Sequence, residues 1–162
     1  MDTAATVAGV GLIRRSRRRP DPFELVDVVS APAPDPAVVL FDVVTEAVIL
    51  QDEAEAVLVS VSRGEHLGLV APRGGPLVHR FFSLRDRLPT PTDPRLSRLS
   101  ADLGTILEHH ALQVATSLEF LAVAGRSPVA TQRLDSFRGL GRPAALLDEI
   151  YTELKAARRD SG

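Results

Sequence analysis

From Phe23 onward, polar and apolar positions fall into stretches of different period. Phe23 to Val29, Phe-Glu-Leu-Val-Asp-Val-Val, is β-branched and half alternating, and Ser30-Ala-Pro-Ala-Pro ends it, which predicts a strand and a Pro-rich loop. Asp35-Pro36 then supplies an N-cap and an N1 proline. Asp42, Thr45 and Glu46 recur at helical spacing among apolar neighbours, so 36–51 is expected to be a helix. Its valines, stiff at χ1, leave a strand as the alternative. Ala56–Val61 and His66–Val70 flank Ser62-Arg-Gly-Glu65, the signature of a hairpin. After Pro72-Arg-Gly-Gly-Pro76 the alternating run Leu77–Phe82 reads as a third strand.

The second half changes period. Residues 88–94, Leu-Pro-Thr-Pro-Thr-Asp-Pro, form a linker that ends on a second Asp-Pro helix start. Behind it Leu99, Leu103, Ile106, His110, Val114, Leu118 and Leu121 lie on one stripe of a helix over 95–124, apolar almost all round from Ala111 to Ala124. Such a helix is about 45 Å long, as long as a domain of this size is wide, so it either crosses the molecule or pairs with a second copy. That stripe is the expected homodimer interface. Two shorter helices follow, one from Ser127-Pro128 with Ala130, Leu134 and Phe137 on a face, and one from Pro143 with Leu147, Ile150, Tyr151 and Leu154. The expected fold class is therefore α+β: a small antiparallel sheet with one helix over 23–84, then a helical half. The expected organisation is a tail over 1–22 and a single domain over 23–162, with a β-rich half (23–87), the linker 88–94 and a helical half (95–160).

Composition narrows the class. The chain has 162 residues, 44% of them hydrophobic, and no cysteine, which excludes disulfides, thiolate chemistry and Cys-ligated metal sites. Eighteen arginines against one lysine, Lys155, read first as the codon bias of a GC-rich genome. The net charge of −2 hides a strong banding: residues 1–20 carry +4, 21–62 carry −9 with no basic residue, 63–100 carry +4 and 101–162 carry −1. The apolar run Ala4–Ile13 is half the length of a membrane span, and its arginines follow it instead of preceding it, the reverse of a secretory signal. A cytoplasmic location without a membrane span is expected.

Candidate chemistry is sparse. Arg14, Arg15, Arg17, Arg18 and Arg19 place five guanidiniums within six residues, enough for salt-dependent attraction to nucleic acid or another anionic surface. Neighbouring aromatics for base stacking are lacking there. Glu108-His109-His110 has no metal-ligand spacing, since adjacent helical residues face different ways. Arg73-Gly74-Gly75 and Arg138-Gly139-Leu-Gly141-Arg142-Pro143 fit neither a Walker nor a dinucleotide fingerprint. No metal, cofactor or catalytic residue is assigned.

Two resemblances add to this. Glu108-His109-His110-Ala-Leu-Gln-Val-Ala-Thr-Ser-Leu118 resembles the phospho-acceptor helix of two-component histidine kinases and phosphotransfer proteins, which implies His109 or His110 as a phospho-acceptor. With no nucleotide-binding domain read downstream, a kinase is not expected. Asp35–Gly75, a helix and then a hairpin, resembles the opening of a GAF-type sensor domain, which implies a small ligand. The expected function is a non-catalytic intracellular interaction or regulatory module, homodimeric through the 95–124 helix, with itself and possible protein partners as its contacts. The alternatives are an anionic-partner binder through the tail, a ligand sensor, a phosphotransfer protein, or an enzyme with an unrecognised site.

Overall fold

The computed structural model describes residues 34–137 and 139–160. Within them, helix α1 (Pro36–Ser62) starts where the Asp35 carboxylate accepts the Ala37 N–H at 2.9 Å, with Pro36 in the first position. Leu40, Val43, Val44, Ala47, Leu50, Ala54, Val57, Leu58 and Val61 follow at spacings of three and four, and all are buried. One helix thus runs through both the expected helix 36–51 and the expected strand 56–61. It ends in a Schellman turn: Gly64 takes φ +67°, the Gly64 N–H donates to Val61 O at 2.9 Å and the Glu65 N–H to Ser60 O at 3.1 Å. A glycine at positive φ serves a helix end as readily as a hairpin, so Ser62-Arg-Gly-Glu65 is a helix C-cap.

Helix α2 (Leu67–Asp86) begins on His66, whose Nδ1 accepts the Gly68 N–H at 3.1 Å, and it holds Pro72 and Pro76 in its interior. Each interior proline disfavours a helix by about 3 kcal/mol and each glycine by about 1. Packing offsets this. Val70, Leu77, Phe81 and Leu84 are buried, and a Cβ on Gly74 would stand 2.9 Å from Leu118 Cδ1 and 3.2 Å from Val57 Cγ1. Pro-Arg-Gly-Gly-Pro is therefore no loop; at Gly74 α2 packs close against side chains of α1 and α3.

Helix α3 (Pro94–Ala124) is the helix expected over 95–124, capped by the Asp93 carboxylate on the Leu96 N–H at 2.8 Å. The short α4 (Pro128–Leu134) starts on Ser127 and folds back on α3, with Thr131 Oγ1 donating to Ala124 O at 2.6 Å. Helix α5 (Arg142–Asp160) follows Gly141, whose φ is +66°.

Cross-helix pairs establish the topology. Arg80 meets Glu53 at 3.3 Å and Arg87 meets Glu46 at 2.8 Å, so α2 runs antiparallel to α1. Phe81 lies beside His110 with ring centroids 5.4 Å apart, and Arg85 faces Glu108 at 3.8 Å, so α3 turns back again. Arg95 pairs with Glu153 at 2.6 Å, and Phe41 stacks with Tyr151 at 6.0 Å, which brings the end of α5 to the starts of α3 and α1. The four long helices form an up-down-up-down bundle, with α1 and α3 in contact across its middle and α2 and α5 in the two flanking grooves.

The α+β expectation is thereby corrected. Among the described residues the chain is helical with no strand. The β-rich half loses its hairpin 56–70 and its strand 77–82 to α1 and α2, and the GAF-type resemblance, carried by that hairpin, falls with it. The strand expected over 23–29 and the tail 1–22 lie outside the described residues.

Candidate functional site

The expected dimer stripe is spent inside the chain. Leu99, Leu103, Ile106, His110, Val114 and Leu121 are buried and Leu118 is half-buried, covered by α1, α2, α4 and α5 of the same molecule. These side chains have no surface to offer a second copy while the bundle is closed.

The two histidines part company. His109 is exposed on α3, whereas His110 is 0% exposed. His110 Nδ1 lies 2.6 Å from Ile106 O; a carbonyl can only accept, so Nδ1 carries the proton and Nε2 holds a bare lone pair in the core. Burial pushes the imidazole pKa below its ordinary 6.5, and neighbouring His109 adds to that, against the opposing Ile106 hydrogen bond. A phosphoryl donor cannot reach His110 Nε2 unless the bundle opens, which leaves His109 as the accessible ring. Gln51 Oε1 on α1 is likewise buried without a partner among the described residues. Both atoms fall in the layer of Phe81, since Arg80 reaches Glu53 on α1 and Phe81 touches His110 on α3.

Four ion pairs elsewhere tie helices together. A groove of about 510 Å³ between α3 and α5 has Arg95, Arg98, Asp102, Glu149 and Glu153 around Leu99, Ile106 and Ile150. There Arg95 is held by Glu153, and Arg98 faces Asp102 at 3.8 Å. No group of three or more His, Asp or Glu that could hold a metal is present among the described residues. No helix among them is long and apolar enough to cross a membrane.

The α1–α2 face is different. A groove of about 480 Å³ there is lined by Asp52, Glu53, Ala56, Val57, Arg73 and Leu77. Glu53 is occupied by Arg80, but Asp52 and Arg73 are exposed and form no ion pair among the described residues. Ile49 on α1 is 58% exposed and Leu69 on α2 is 69% exposed. The sequence reading missed this face because it placed Ile49 in a helix and Leu69 in a strand. The usable signal was the spacing Leu69, Arg73, Pro76, Arg80, which is i, i+4, i+7, i+11 of one helix face.

Arg14, Arg15, Arg17, Arg18 and Arg19 lie outside the described residues. Compared with protein-family models, curated proteins and solved structures, the chain matches none.

Proposed function

We propose that the chain is a non-catalytic interaction module of the cytoplasm, a helical bundle that works by what its outer faces hold. The observation that carries this reading is the destination of the charged side chains. Arg80, Arg87, Arg85 and Arg95 are engaged by acids on neighbouring helices, at the bundle's exterior. The one buried ionisable group among the described residues, His110, is bonded to its own helix. The polar chemistry is used for architecture, and the sites left for recognition are surfaces.

The test is recovery of the tagged full chain from its native cell at low and high salt. A stoichiometric protein companion retained at high salt is expected, either another protein or an untagged copy, because contacts that bury apolar area resist screening. Recovery of the chain alone at both salts refutes the reading. Nucleic acid recovered at low salt and lost at high salt would transfer the function to the arginines at 14–19.

A further inference from the structure

We infer that α2 carries two helix starts, the observed one at Leu67 and a second at Gly75-Pro76, and that residues 67–75 unwind as a unit while the rest of the bundle stays folded. The other helices of the chain lead there. α1, α3 and α4 each begin with a capping side chain followed by proline, at Asp35-Pro36, Asp93-Pro94 and Ser127-Pro128. α2 instead begins on the His66 imidazole and carries Gly75-Pro76 in its interior. Glycine is an accepted N-cap, and proline suits the first helical position because the N–H it lacks has no helical partner there. Inside a helix the same proline removes a bond to the carbonyl four residues back. Pro72 and Pro76 thus leave Gly68 O and Pro72 O without their helical donors in the long form of α2. A helix that starts at Pro76 has neither defect.

The two parts of α2 are also held differently. Residues 67–76 contain three glycines and two prolines, whereas residues 77–86 contain neither. In the second part Leu77, Phe81 and Leu84 are buried, and Phe81 lies against His110. Arg80 pairs there with Glu53, Arg85 with Glu108, and the C-cap Arg87 with Glu46. Residues 67–76 form no ion pair among the described residues, and the one side-chain hydrogen bond they receive is the His66 cap on the Gly68 N–H. Val70 and Gly74 are their buried positions, with Leu67 half-buried, and Gly74 brings no side chain to the core. A helix over 76–86 therefore keeps every ion pair of α2, and unwinding 67–75 gives up Val70, Leu67 and the close fit of Gly74. What this strap uncovers is apolar: Val57 on α1 and Leu118 on α3, the side chains against which Gly74 packs.

The test is native-state hydrogen exchange of the full chain, read peptide by peptide by mass spectrometry, with brief trypsin digestion beside it. Its outcome does not depend on a partner. In the parent, amides of residues 69–75 should exchange together and at least about hundredfold faster than those of the buried stretches of α1 and α3. Amides of residues 80–84, bonded within the short helix, should stay within about tenfold of α1. Trypsin should cut after Arg73 before it cuts after Arg80, Arg85 or Arg87. Pro76→Ala removes the second start and gives the long helix back an N–H, so exchange of 69–75 should slow at least about tenfold. Gly75→Ala replaces a fair cap by a poor one, puts its Cβ where nothing lies within 4 Å, and should slow the same amides about threefold to fivefold. Pro76 is exposed and Gly75 half-buried, so unchanged helical circular dichroism controls for folding. Exchange in 69–75 as slow as in α1 overturns the inference, as does a protection boundary elsewhere in α2. Cleavage after Arg73 no earlier than after Arg80 overturns it too, and so does fast exchange that neither substitution slows.

Discussion

Gly74 and Gly75 are adjacent, both lie within α2, and neither has a positive φ, yet they should respond oppositely to the same substitution. A Cβ on Gly75 meets nothing within 4 Å. Gly75→Ala therefore adds only helix propensity and should stabilise the chain by about 0.5–1 kcal/mol. Gly74→Ala receives the same gain but puts its Cβ 2.9 Å and 3.3 Å from the Leu118 methyls and 3.2 Å from Val57 Cγ1. Leu118 is half-buried and can turn outward; Val57 is enclosed in the core and cannot. Overpacking of this kind costs roughly 1–3 kcal/mol. The net for Gly74→Ala is zero to about 2 kcal/mol of destabilisation, and the two variants should differ by about 1–3 kcal/mol, several degrees in Tm for a chain of this size. Urea denaturation followed by circular dichroism at about pH 7.5 measures both, with the slope against denaturant confirming that the unfolded states match. In a Pro-Arg-Gly-Gly-Pro loop the two glycines would answer alike. Equal responses, or a Gly74→Ala variant the more stable of the pair, would refute the close approach of α2 to α1 and α3.

Acidification should weaken the bundle through His110. Its folded pKa is lowered below the ordinary 6.5, so the stability that comes from keeping it neutral is present above about pH 6.5 and is lost as pH falls toward the folded value; urea midpoints between about pH 7.5 and 5.5 should drop in the parent and drop less in His110→Leu, and equal slopes would sink the assignment. Leu103→Ala, at 0% exposure, should cost about 2–5 kcal/mol, whereas Leu112→Ala on the same helix, at 52%, should stay within about 0.5. The Leu103 loss should be independent of protein concentration, because its partners belong to the same chain; a loss that shrinks on raising concentration would return the stripe to an intermolecular role. For the N-terminal arginines, replacing all five of Arg14, Arg15, Arg17, Arg18 and Arg19 by alanine should abolish any salt-sensitive electrophoretic retardation of DNA or RNA by the full chain, and retardation that survives would place that binding elsewhere.

The helix starts were legible in the sequence because their cause is local. Asp35-Pro36, Asp93-Pro94 and Ser127-Pro128 each place a side-chain acceptor ahead of a proline, and each cap forms as expected. The first half was misread at two points where local chemistry is ambiguous. Val57, Val59 and Val61 alternate like a strand, yet Leu50, Ala54, Val57, Leu58 and Val61 also keep the helical period. A helix buried on several sides needs no polar face to mark it, and α1 sits against α2, α3 and α5 together. Pro72 and Pro76 were the second point. Their local preference is against helix, and only Gly74 fitting against Val57 and Leu118 reverses it, residues 17 and 44 positions away along the chain. Tertiary packing outweighs propensity here, and no window short enough to show period contains all three side chains.

The surface was hidden for a related reason. Charge banding separates the acids of 21–62 from the arginines of 63–100 along the chain. Once α1 and α2 pack antiparallel, part of that opposition is consumed at home: Glu46 takes Arg87 and Glu53 takes Arg80, seven residues apart in each segment. The third step of that ladder fails. Seven residues beyond Glu53 stands Ser60, buried and without charge, while seven before Arg80 stands Arg73. Arg73 is thus left over by the register of two helices, and Asp52 by lying one position ahead of the paired Glu53. Neither residue is unusual in the sequence. They stand out only because the fold brings both to one groove without an ion pair among the described residues, and that relation exists between helices, not along the chain.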